Sequence, residues 1–259
     1  MDISFLKSFL PEIYFSFAIF CQLIFNSRFI NTIQFNYPII YKETFYQTLV
    51  IFVCLIFIFH NLQIEGFFSN FLFLNDAGSR LLKMILVIFS CFALNFIGRS
   101  FCLQNINFFE YFSVFLLSVL ALFLLINASD ILSAYLIIEM QALCFYVLAS
   151  FKRDSSFSTE AGLKYFISGS FISGVFLLGA ALLYGCLGTL NFNILNWLLA
   201  FDSFSEFDSL KVLILIGVLL VTFTLFFKIA AAPFHFWSPD VYEGSPLAST
   251  IIFSVIPKL

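Results

Sequence analysis

Charge is scarce in this chain. Asp, Glu, Lys and Arg make up 10% of its 259 residues and hydrophobic side chains 62%, whereas soluble domains carry about 25% charged and roughly 45–50% apolar residues. So little charge cannot coat a water-facing surface, and the composition is that of a polytopic membrane protein. Histidine is scarcer still: His60 and His235 are the two present, neither beside a nucleophile motif, which leaves no Ser–His–acid hydrolase. The six cysteines, Cys21, Cys54, Cys91, Cys102, Cys144 and Cys186, are scattered through apolar segments with no C-x-x-C pair. That argues against an iron–sulfur cluster, a zinc site or a disulfide framework and suits small core or lipid-facing side chains. A glycine-rich phosphate loop, a dinucleotide fingerprint and a basic–aromatic patch are all missing, so neither nucleotide nor nucleic acid is an expected partner. The start, Met1-Asp-Ile-Ser-Phe-Leu-Lys7, has no Arg-rich presequence and no cleavable signal; the first apolar segment reads as a permanent span.

What the chain does have is long apolar runs. A span needs about 20 apolar residues, and on that rule spans are expected near 9–26, 45–60, 81–98, 109–127, 130–150, 161–187 and 210–232, with a last one starting at 246. The longest connection, 188–209, holds Asp202, Glu206 and Asp208 and is expected to lie on the surface as an acidic loop. Connections after the odd-numbered spans hold Arg28, Lys42, Arg99, Lys152 and Arg153, while the other side has Lys7 and Arg80, with Lys83 and Lys211 at span ends. The positive-inside rule then turns the first side to the cytoplasm or matrix and the N-terminus outward.

Against this background, ionisable residues inside spans stand out. Glu139 follows Asp130 by nine residues in Ile131-Leu-Ser-Ala-Tyr-Leu-Ile-Ile-Glu139, which puts its carboxylate roughly 13 Å deep. A carboxylate there requires protein or water around it and a cation or proton as partner. Lys164 lies early in its span, among Gly162, Ser168, Gly169, Ser170 and Gly174, which permit close helix approach. It reads either as a stem snorkelling to the interface or as a relay lysine one helix from Glu139.

Lys228 ends an apolar run from Val212, and simple counting would bring it out at the far interface. Yet residues 229–237 are nearly as apolar, and Pro233 removes a backbone donor that bonds one turn back. A discontinuous span with Lys228 beside the break accounts for both. Lys258, twelve residues past Pro246, falls about 18 Å into the last span. Each such group costs about 3 kcal/mol at a helix centre, so four on successive spans suggest a proton path. His235 could relay protons near neutral pH or cap carbonyls freed at the break. Asp240, Glu243, Glu12 and Glu110 are expected to be loop or helix-start acids.

Three stretches carry a resemblance: Tyr135-Leu-Ile-Ile-Glu-Met-Gln-Ala-Leu-Cys-Phe-Tyr-Val-Leu-Ala-Ser150, Ser158-Thr-Glu-Ala-Gly-Leu-Lys-Tyr-Phe166 with Tyr184-Gly-Cys-Leu-Gly-Thr189, and Lys228-Ile-Ala-Ala-Ala-Pro-Phe-His-Phe-Trp-Ser-Pro-Asp-Val-Tyr-Glu-Gly-Ser-Pro246. Together they resemble the subunit 2 family of respiratory complex I (NADH:ubiquinone oxidoreductase), closely over 109–259, with Pro233-Phe-His235 matching the mitochondrial version.

The resemblance implies an all-α polytopic membrane protein with an antiporter-like helical bundle. Three N-terminal transmembrane helices (1–108) would precede the first inverted repeat (109–259), which includes a discontinuous helix. It further implies a proton-translocating membrane-arm subunit with Glu139 and Lys228 as ion pair, Lys164 as adjacent relay and Lys258 as connecting lysine. The alternatives are a cation/proton antiporter subunit or a structural membrane subunit with transport lost. FMN, iron–sulfur clusters and ubiquinone would belong to other subunits, with none bound by this chain. Expected partners are other membrane-arm subunits, membrane lipids and a separate chain supplying the second repeat beyond Leu259. The expected location is the mitochondrial inner membrane, multi-pass, with the N-terminus toward the intermembrane space.

Overall fold

The computed structural model describes residues 9–29, 38–60, 66–68, 72–104, 110–200 and 208–258. Lys7, Asp202, Glu206 and Leu259, which figure in the expectations above, lie outside them. Each apolar run becomes a helix: α1 (Leu10–Phe29), α2 (Pro38–His60), α3 (Ala77–Gln104), α4 (Glu110–Asn127), α5 (Ile131–Ala149) and α6 (Ser156–Leu187). Between α2 and α3 lies a small antiparallel hairpin, β1 (Gly66–Phe68) with β2 (Phe73–Asn75). The chain continues with α7 (Phe192–Ala200), α8 (Asp208–Ile229), α9 (Trp237–Gly244) and α10 (Leu247–Val255), then a 3₁₀ turn at Ile256–Lys258.

Among the described residues, α3, α4, α5, α6 and α8 are long and apolar enough to cross a membrane, and Leu10–Ile24, Thr44–His60 and Leu247–Lys258 are shorter apolar helical stretches. The eight expected spans thus all coincide with helices, and the protein is an all-α, multi-span membrane protein apart from the hairpin. The short second apolar stretch is found at Thr44–His60, within a 23-residue helix. Two expectations need correcting. The supposed loop 188–209 contains α7, whose Leu195 is buried while Phe192, Ile194 and Trp197 are exposed. The seventh span ends at Ile229 rather than 232, four residues before Pro233, at the carbonyl that a proline nitrogen cannot reach.

A membrane demands a partner for each backbone polar group, and the end of α5 shows how serines meet that demand. Tyr146 O accepts from the Ser150 amide at 3.2 Å, and Val147 O from Ser150 Oγ at 3.4 Å. Leu148 O accepts from Ser249 Oγ at 2.6 Å, and Ala149 O from Ser158 Oγ at 2.8 Å. All four terminal carbonyls are satisfied, two of them by hydroxyls from α6 and α10. Ser249 in turn accepts from the fully buried Tyr111 hydroxyl on α4 at 3.0 Å. Ser249→Ala strands Leu148 O and Tyr111 Oη together and is expected to destabilise the bundle by about 1–3 kcal/mol. The measurement is the thermal midpoint of the detergent-extracted protein, and an unchanged midpoint would show that this tie carries no stability.

Close helix approach rests on glycine, as expected, though not at every glycine named. A Cβ on Gly162 would meet Ser150, and one on Gly169 would collide with the Tyr146 hydroxyl, whereas nothing lies within 4 Å of Gly174. Backbones also approach closely between α6 and α8, where a Cβ on Gly179 would stand 3.0 Å from the Gly217 carbonyl. Helix α6 opens on Ser155, whose hydroxyl accepts from the Ser158 amide, and closes on Gly188 in the left-handed conformation (φ 72°), the usual helix stop.

Candidate functional site

The break after α8 positions the site. Ala230 adopts φ 58° and the Ala232–Pro233 peptide is cis, so the chain leaves the helix axis and restarts as α9. Two carbonyls of the last α8 turn find partners locally. Phe226 O accepts from the Ala231 amide at 2.9 Å, and Phe227 O from the Ala230 amide at 3.0 Å and from Trp237 Nε1 at 2.9 Å. The Trp237 ring lies flat on Tyr165 of α6, with centroids 4.7 Å apart and planes at 6°. The indole therefore caps the break and docks it on the neighbouring helix.

Lys228 occupies the last turn of α8, where a cation is favoured by the carbonyl ends of the helix. Its Nζ lies 3.3 Å from Glu139 Oε1 on α5, and the two side chains are 23% and 24% exposed. Beside the pair is a cavity of about 190 Å³ bounded by Lys228, Gln141, Phe145, Tyr165 and Pro257. A carboxylate and an amine at this separation can pass a proton directly. Most of the cavity's lining is apolar, and Lys228 and Gln141 supply the polar edge at which there is room for water.

The other expected site residues lie apart from this pair. Lys164 does not join Glu139; it sits two turns into α6, half exposed, and pairs with Glu160 at 3.0 Å and Asp240 at 2.9 Å. Asp240 is a helix-start acid of α9, as expected, and its contact with Lys164, 76 residues away in sequence, had no signal in the sequence. Lys258 is exposed at the end of the chain's last turn, its Nζ 5.8 Å from the Tyr242 ring centroid, and its neighbour Pro257 lines the cavity. His235 is exposed within the break. Its backbone carbonyl accepts from Ser238, and the capping function considered for it falls to Trp237. Glu12 is a helix-start acid, as expected, but it is buried and ion-paired to Lys83, which was read as a span-end lysine and is buried too.

Residues 128–259 match the model of the NADH:quinone oxidoreductase/Mrp antiporter transmembrane family. The chain belongs to that family. It is 36% identical over 252 residues to NADH-ubiquinone oxidoreductase chain 2 of Marchantia polymorpha, covering 96% of this chain and 51% of that protein. To NADH-quinone oxidoreductase subunit N of Rhodobacter capsulatus it is 38% identical over 192 residues, 73% of this chain and 38% of that one. The chain thus spans about half the length, or less, of these relatives. In fold it is similar to a chain of respiratory complex I from Thermus thermophilus, with a TM-score of 0.73 at 23% identity over 96% of this chain and 50% of that one. It is also similar to a chain of the Mrp complex from Dietzia sp., with a TM-score of 0.69 at 19% identity over 98% and 46%. An antiporter-like helical bundle with a discontinuous helix is therefore its architecture.

Proposed function

We propose that this chain works as a proton-translocating membrane-arm subunit of an NADH:quinone oxidoreductase in the mitochondrial inner membrane, its N-terminus toward the intermembrane space. The observation that carries the reading is the half-buried Lys228–Glu139 pair at the helix break. An intramembrane pair of ionisable groups is costly to keep for stability alone, and the cavity beside the break, with Gln141 and Lys228 at its edge, gives room for the water that proton exchange needs. Glu139 and Lys228 exchange the proton; Lys164, held by Glu160 and Asp240, modulates or feeds the pair from α6. Lys258, past the Pro257 edge of the cavity, continues the path, with His235 a further protonatable group at the break. FMN, iron–sulfur clusters and ubiquinone reside in other subunits, and the partners are those subunits and membrane lipids. The likeness to plant mitochondrial chain 2 over 96% of this chain supports the assignment.

In vesicles of the assembled complex, Glu139→Gln is expected to abolish NADH-driven proton uptake through this subunit while leaving the complex assembled. Parental pumping in that variant would remove the relay. A second reading, a cation/proton antiporter subunit, is supported by the breadth of the family, which includes Mrp antiporters. Co-purification with flavin and iron–sulfur subunits separates the two: their absence from the purified assembly favours antiport.

A further inference from the structure

A second ion pair, Glu12 with Lys83, lies among the N-terminal helices, on elements other than those that carry Glu139 and Lys228. Glu12 stands in the first turn of α1 and Lys83 in the second turn of α3, and Lys83 Nζ donates to Glu12 Oε1. Asn127, the last residue of α4, donates its Nδ2 to the same oxygen at 3.3 Å. All three are nearly sealed, at 4%, 2% and 1% exposure. On α2, Cys54 Sγ reaches the Pro11 carbonyl at 3.8 Å, and the hairpin closes the end of the cluster, with Phe73 packed edge-on against Phe9 and paired with Ala128. Two acceptors in this cluster, Glu12 Oε2 and Asn127 Oδ1, have no hydrogen-bond partner among the described residues.

A structural tie does not explain this arrangement. Apolar side chains of the same volume hold helices as well as a buried ion pair or better, and each stranded buried acceptor costs about 1–3 kcal/mol. Two stranded acceptors beside an ammonium with N–H groups to spare are complementary to water, which donates twice and accepts twice. We propose that Glu12 and Lys83 form a second proton-exchange site within the membrane, holding water against Asn127. The step is balanced: the Lys83 ammonium breaks an N–H bond as the Glu12 carboxylate forms an O–H bond, and the charged pair becomes a neutral pair with no net charge moved. The resulting acid then donates to the bound water. This inference rests on the proton-translocating reading above and assigns that function a site outside residues 128–259.

Lys83→Arg in the assembled complex is the test, because arginine keeps the charge and the ion pair but does not release its proton. The complex is expected to assemble with parental thermal stability while its pumping rate falls about a hundredfold, the lower end of what a positioned acid or base contributes. Glu12→Asp, which keeps a titratable group, should recover part of the rate. Parental pumping in Lys83→Arg overturns the proposal. Should the guanidinium not fit, Glu12→Leu combined with Lys83→Met removes both charges together; this double variant is expected to assemble and still to pump poorly, and full pumping from it would show a structural tie only. If Glu139→Gln fails to pump while Lys83→Arg pumps normally, the proposed function stands and this second site falls. If both pump normally, the proton reading itself falls.

Discussion

Replacing Lys228 with alanine is expected to lower proton translocation by about a hundredfold, the lower end of what a positioned acid or base contributes. Lys228 holds its place for three reasons: it is in the final turn of α8, where the helix end favours a cation, it lies 3.3 Å from Glu139, and it borders the cavity. Alanine leaves the Glu139 carboxylate without a cation in a medium that opposes isolated charge. The carboxylate then has no amine with which to exchange a proton, so the pair no longer alternates between two states. Assembly should survive, since the break itself is held by Trp237 Nε1 on Phe227 O and by the Ala230 and Ala231 amides, none of which involves the lysine side chain. The measurement is pumping per NADH oxidised in sealed vesicles, alongside the thermal midpoint of the complex. A variant that pumps at the parental rate would mean that the pair is structural and that the path runs elsewhere.

How much of this was legible in the sequence depended on whether the signal was local. The spans were, because a run of 20 apolar residues needs no partner to be recognised as one; α4, α5 and α8 begin and end within three residues of the expected bounds. The break was also legible, since Pro233 inside an apolar run has a fixed backbone consequence, and the helix does stop one turn before it. Lys228 beside the break followed from the same signal.

The misses share a cause, which is that their meaning depends on something distant in the chain. Glu12 and Lys83 are 71 residues apart, and each alone resembles an ordinary charge at a span end; only the packing of both α1 and α3 against α2 and α4 makes them a pair. Lys83 sits between Leu82 and Met84 inside apolar sequence, the one local hint. Lys164 faces Asp240 rather than Glu139 because α9 turns back along α6 after the break, a direction no periodicity encodes. The capping of Phe227 by Trp237 likewise depends on how tightly the chain turns between α8 and α9. Helix α7, at nine residues, fell below any length rule for a span, and the acids that follow it suggested a loop.

Gly179→Leu is expected to be among the most damaging single substitutions in the bundle. In a bilayer, helix association relies on close packing rather than on expulsion of water, and small residues let backbones approach. Gly179 of α6 and Gly217 of α8 do this directly: a Cβ on Gly179 would stand 3.0 Å from Gly217 O, from Leu220 Cβ and from Val221 Cγ2, and one on Gly217 would stand 3.2 Å from Gly179 O. The obstruction is mostly backbone and branched side chain at close quarters, neither of which can swing away, so added methylenes must push α8 off α6. Overpacking of this kind costs typically about 1–3 kcal/mol and occasionally more. Because α8 carries Lys228 to its contact with α5, the same displacement should also lengthen the 3.3 Å approach to Glu139 and depress pumping beyond what the loss of stability alone would do. Gly185 lies on the same helix with nothing within 4 Å, so Gly185→Leu is the matched control and should leave both thermal midpoint and pumping near parental values. Equal effects at the two positions would mean that leucine acts through helix propensity or lipid contact, and that the approach of α6 to α8 does not set the geometry of the ion pair.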